Sequence, residues 1–210
     1  MEQLSHYLII APPLFLALTF HEFSHAYIAN RLGDPTAKLM GRLTLNPLVH
    51  LDLLGTAMLF IAHFGWAKPV PVNPLNFKNP KRDLLWVSLA GPASNLLLAF
   101  IFGIGLRLIG IGYIFGNMDI IATMIFYGLY INIILAFFNL LPIPPLDGSK
   151  ILMGIVPEKY ERDLEPLLRY GPTILIGLIV FGMITKVPIL WYIIGPFVKL
   201  FGYIFGGIEI

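Results

Sequence analysis

What most constrains this chain is a series of apolar runs that carry almost no charge. Residues 7–29, 84–109, 120–141 and 189–205 are each long enough, or nearly so, to cross a bilayer core, which takes roughly 20 apolar residues. A fifth run, 172–184, is shorter and must borrow flanking residues or lie where the bilayer is thin. Of the 210 residues 57% are hydrophobic and 12% charged, against roughly 25% charged in a soluble domain. A water-soluble globule could not be covered with so few polar side chains. The runs are continuous rather than alternating, which favours helices over barrel strands. The expected fold is an all-α polytopic membrane protein with about five transmembrane helices. A sixth apolar patch, 53–66, is too short to cross and ends in proline-rich sequence, so it reads as a re-entrant or interfacial piece.

The basic residues give an orientation. Arg31, Lys38, Arg42, Lys68, Lys78, Lys81 and Arg82 lie between the first and second spans, and Lys150, Lys159, Arg162 and Arg169 between the third and fourth. The opposite side has only Arg107 and Lys186 near its loops. That asymmetry predicts a cell-membrane protein with both rich loops in the cytoplasm and the N-terminus outside. The first span lacks the basic n-region and cleavage site of a secretory signal, so it is expected to be retained. A net charge of +2 with no basic cluster excludes a nucleic-acid partner. With no cysteine, any metal must be held by His, Asp, Glu or Asn.

The first cytoplasmic segment is expected to contain small extended strands. Residues 37–45 roughly alternate in polarity, and Pro69-Val70-Pro71-Val72-Asn73-Pro74 cannot be helical and is an edge strand at best. One membrane-embedded domain is expected over 1–210, with a core at about 7–150 and additional C-terminal spans at about 172–205.

The chemistry begins at His21-Glu22-Phe23-Ser24-His25. Residues four apart share a helix face, so both imidazoles can reach one Zn²⁺. Glu22, about 100° round the helix, can touch a metal-bound water without being a ligand. Zinc lowers the pKa of such a water towards ~7, and a neighbouring carboxylate can then take its proton. Three ionisable groups inside an apolar helix would each cost about 2.5 kcal/mol or more unless compensated, and a metal compensates them.

A catalytic zinc takes three protein ligands and keeps one open position. Asp147 is the best candidate for the third ligand, in Asn139-Leu140-Leu141-Pro142-Ile143-Pro144-Pro145-Leu146-Asp147-Gly148, where three prolines break the third helix and Gly148 lets the chain turn back. Asp-Gly is also a common turn pair, and spacing leaves both readings open. His6, His50, Asp52 and His63 read as polar interfacial residues. Asn95, in Leu89-Ala90-Gly91-Pro92-Ala93-Ser94-Asn95, is mid-span; helix packing alone could account for it.

The His21 to His25 motif, the Gly91 to Asn95 stretch and the Asn139 to Gly148 run occur in the order and spacing of the site-2 protease family of intramembrane metalloproteases. Gly65-Trp66-Ala67-Lys68-Pro69-Val70-Pro71-Val72-Asn73 resembles the stretch before the second core helix of its short members, which lack PDZ and CBS modules. The resemblance covers about 14–150 well and the last two spans loosely. It implies one zinc ion held by His21, His25 and Asp147, with Glu22 as general base. Asn139 would face the site and help to stabilise the oxyanion, and Asn95 would be an accessory group. The implied reaction is hydrolysis of peptide bonds within or near transmembrane helices of other proteins in the lipid bilayer. Such a helix must first unwind, and the extended segments at 39–45 and 70–73 are candidate places for it to pair. A metal-dependent channel or transporter using the same ligands is the alternative.

Overall fold

The computed structural model describes residues 2–55, 58, 65–109 and 120–208. Eight α-helices are described here: α1 (Glu2–Leu32), α2 (Thr36–Leu39), α3 (Pro47–His50), α4 (Pro80–Ile109), α5 (Ile120–Asn139), α6 (Asp147–Ile155), α7 (Glu161–Thr185) and α8 (Ile189–Phe201). Among the described residues five helical segments are long and apolar enough to cross a membrane: Tyr7–Leu32, Pro80–Ile109, Ile120–Asn139, Glu158–Thr185 and Ile189–Gly206. Helices of this length and composition fit a multi-pass membrane protein.

The fourth of these extends the short apolar run 172–184 by borrowing flanking residues. Its helix begins at Glu161 and carries Glu161, Arg162, Asp163, Glu165 and Arg169 in its first turns. These side chains are half-buried or exposed, so the helix extends beyond the apolar run and hydropathy misses its start. Lys81 fixes that start to α4, donating to the Val156 carbonyl and pairing with Glu161.

α1, α5 and α6 pack against α4, and α8 packs against α5 and α7. Ala99 and Leu106 of α4, Leu129 and Ile133 of α5, Val198 of α8, and Ile208 form one buried cluster. At the other end, Ala29 of α1 and Val87 of α4 close on Phe77. Beyond α5 the chain bends through Pro142, Pro144 and Pro145 before α6 starts at Asp147. Leu141 and Leu146 from this bend are buried with Leu175 and Ile194.

Among the described residues there is no sheet. The expected strand at 37–45 is in part helical, because Asp34 and Pro35 start a turn: Asp34 Oδ1 accepts the Thr36 N–H at 3.1 Å, and α2 follows. The proline-rich stretch is not helical over 69–73 and ends in a 3-10 turn at Pro74–Asn76; among the described residues it pairs with no strand, and an isolated bridge between Leu51 and Ala67 is the nearest thing to a ladder. The proposed re-entrant patch 53–66 lies largely outside the described residues, as does His63, and the side chain of His6 does too.

Candidate metal centre

His21, Glu22 and His25 lie on the second half of α1, all buried, with His25 seven residues from the helix end at Leu32, roughly 10 Å of helix. Asp147 is the first residue of α6, where the helix N-terminus favours a carboxylate. The bend before α6 is tight. A Cβ on Gly148 would overlap the carbonyl oxygens of Leu140 and Leu141. Gly148 is therefore required for close backbone approach, not for a left-handed turn as the Asp-Gly pair suggests.

This folding brings three donor atoms together. His21 Nε2 is 3.1 Å and His25 Nε2 3.2 Å from Asp147 Oδ2, and the two nitrogens are 3.0 Å apart. A tetrahedral ion with bonds of about 2.0–2.1 Å has ligand–ligand edges of roughly 3.3 Å, so the triangle is close to the size zinc requires.

The outer ring nitrogens fix which atoms face inward. His25 Nδ1 lies 2.7 Å from the Val87 carbonyl, which can only accept, so Nδ1 donates. His21 Nδ1 lies 2.7 Å from Asn95 Oδ1. Asn95 is held in that sense because its Nδ2 donates to the Ala17 carbonyl at 3.1 Å and to Asn132 Oδ1 at 2.9 Å. Asn132 in turn donates to the Gly128 carbonyl at 2.7 Å. In their neutral forms both histidines then turn lone pairs towards each other and towards a carboxylate oxygen. Only a positive species among them, a metal ion or a proton, makes that arrangement favourable. The donor set fits zinc.

The site's remaining wall is a cavity of ≈ 130 Å³ that includes Glu22, Val70, Ser88, Asn139 and Lys150. Glu22 Oε2 accepts the Val70 N–H at 2.9 Å. Asn139 Nδ2 donates to the Leu135 carbonyl at 3.0 Å, and an amide nitrogen has a second proton to give. Lys150 Nζ lies 3.9 Å from Asp147 Oδ1. The Ser88 hydroxyl is buried with no hydrogen-bond partner among the described residues.

Residues from four helices thus meet here, and the sequence reading placed His21, Glu22, His25, Asn95, Asn139 and Asp147 among its candidates. His50 and Asp52 do not join the cavity. His50 is buried with Nε2 on the Thr44 carbonyl at 2.8 Å, a structural contact rather than an interfacial one. Asn132 was missed, although an Asn inside the most apolar span is a signal of its own, since an amide there needs a partner.

The chain is similar to known proteins. The model of peptidase family M50 matches residues 109–179. "Putative zinc metalloprotease YwhC" of Bacillus subtilis (strain 168) is 41% identical over 95% of this chain and 92% of its own length. The chain belongs to peptidase family M50, the site-2 protease family. Rip2 of Mycolicibacterium smegmatis, which carries the same description as YwhC, is 32% identical over 86% of this chain and 70% of its own length. "Zinc metalloprotease MJ0392" of Methanocaldococcus jannaschii is 27% identical over 82% of this chain, which spans 42% of that protein. No solved structure matches the chain. Membership makes the protein a zinc metallopeptidase with zinc as its cofactor, and does not favour the transporter alternative.

Proposed function

We propose that the protein hydrolyses peptide bonds within or near the transmembrane helices of other membrane proteins. His21, His25 and Asp147 would hold one zinc ion, and Glu22 would act as general base. The observation that carries the reading is the convergence of two histidine lone pairs and a carboxylate oxygen in a buried cavity that also contains Glu22. Bound zinc would supply Lewis acidity, activating a water and polarising the scissile carbonyl.

The protein's own groups do the rest. Glu22 takes a proton from the attacking water and delivers it to the departing amide nitrogen. Asn139, with one amide proton engaged by Leu135, offers the other to the developing oxyanion. Asn95 holds the His21 ring in one tautomer and orientation. The basic loops favour a cell-membrane orientation with the N-terminus outside and the site towards the cytoplasm. Residues 1–210 then act as one membrane-embedded domain on membrane-spanning protein substrates.

Replacing Glu22 by Gln tests this. Purified Glu22→Gln protein should keep zinc and lose about 100-fold or more of its cleavage of a membrane-spanning reporter. Cleavage at the wild-type rate would overturn the mechanism.

A further inference from the structure

Over the metal cavity runs a strap, from Lys68 to Asn76, that is pinned at both ends by buried charged groups. At one end Arg42 Nη2 donates to the carbonyls of Lys68 and Pro69. At the other, Asp34 Oδ2 accepts the Asn73 N–H at 2.8 Å. Its second oxygen accepts Asn76 Nδ2 at 2.7 Å, together with the N–H and hydroxyl of Thr36. Asp34 is fully buried and Arg42 nearly so. Between the pins the Val70 N–H meets Glu22 Oε2. Pro69 and Pro71 have no N–H, so Val70 is the one backbone donor in that triplet.

A loop that needed only to be closed would not require a buried carboxylate, whose desolvation is costly unless every lone pair finds a donor. Asp34 does find its donors. Burial alone would raise its carboxyl, but hydrogen bonds from Thr36, Asn76 and Asn73 outweigh burial and hold it below the usual carboxylate range. The charge-assisted bonds run from the end of α1, which carries Glu22, to the strap that carries Val70. The distance between those two partners is therefore fixed by Asp34 and Arg42.

We infer that Asp34 and Arg42 are positioning residues for the reaction: by pinning the strap at Lys68–Pro69 and at Asn73 and Asn76, they hold the Val70 amide on Glu22 and so set the direction in which its carboxylate faces the cavity. The inference rests on Glu22 being the general base. Its signature is non-additivity, because Asp34 acts through the same amide that Val70→Pro removes.

The test uses full-length protein in detergent micelles, with zinc content, melting temperature, kcat and KM measured on a membrane-spanning reporter peptide. Loss of one hydrogen bond to a charged group corresponds to roughly a 10-fold fall in rate. Val70→Pro and Asp34→Asn should each lower kcat by about that factor, with zinc content unchanged and little change in KM. The double variant should be no slower than the slower single. Should Asp34→Asn fail to fold, Asn76→Ala, at an exposed position, removes one donor of the same clasp. It should lower kcat about 3-fold alone and not at all in the Val70→Pro background. Losses that multiply, or a lowered melting temperature with full kcat, would overturn the inference. An active Glu22→Gln would instead overturn the functional reading beneath it, so the two failures are distinguishable.

Discussion

His21 Nε2 and His25 Nε2 stand 3.0 Å apart with each ring's other nitrogen already donating, His21 to Asn95 and His25 to the Val87 carbonyl. Two neutral imidazoles so arranged repel one another, and Asp147 Oδ2 adds a third lone pair rather than relief. The site is built for a cation, and its stability should depend on one.

Zinc removal follows directly. Chelation should abolish cleavage and lower the melting temperature, and readdition should restore both. At free zinc 100-fold above its dissociation constant the stabilisation is about 2.7 kcal/mol. A melting temperature indifferent to zinc would contradict the convergent lone pairs.

Gly91→Ala should damage the metal centre with little effect on folding. A Cβ at Gly91 would lie 2.5 Å from His25 Nε2 and 2.6 Å from His21 Nε2, so both rings must swing away from Asp147 Oδ2 and from each other's present positions. A displacement of about 1 Å at a reacting centre can cost on the order of 100-fold in rate. The expected outcome is that loss of activity with weakened zinc binding, while the zinc-free protein melts near the wild-type temperature. Full activity in the variant would show that the α4 face is not close to the rings.

Asn95→Leu distinguishes a positioning role from helix packing. It removes the acceptor for His21 and leaves Asn132 Oδ1 without its donor. Zinc affinity should fall roughly 10–100-fold, the usual effect of losing a ligand's outer hydrogen bond. Were Asn95 only a packing residue, the melting temperature would fall while zinc affinity held.

Parts of the structure were legible because the chain states them locally. His21 and His25 sit four apart in an apolar run, and helix geometry alone puts them on one face. Residues 69–73, with prolines at 69 and 71, could not form an α-helix for want of backbone donors. The fourth helix borrows flanking residues, as its short apolar run required, but how far it extends was not legible, since hydropathy sees apolar side chains and not the polar turns that Lys81 anchors. The 37–45 segment was misread for a similar reason: its alternation resembles a strand, but Asp34 captures the Thr36 amide and starts a helical turn.

By itself the sequence determined that this chain is built of membrane-length apolar helices, that His21 and His25 share one face of the first, and that Asp147 was a candidate to join them. Only the tertiary structure decided how those groups work together. Asn95 and Val87 orient the histidine rings across 74 and 62 residues of chain, and Asp34 ties the Val70 strap to the end of the helix that bears Glu22. Local pattern can specify which residues share a helix face. Which lone pair points where depends on hydrogen bonds between distant segments, and those exist only once α1, α4, α5 and the start of α6 have packed together.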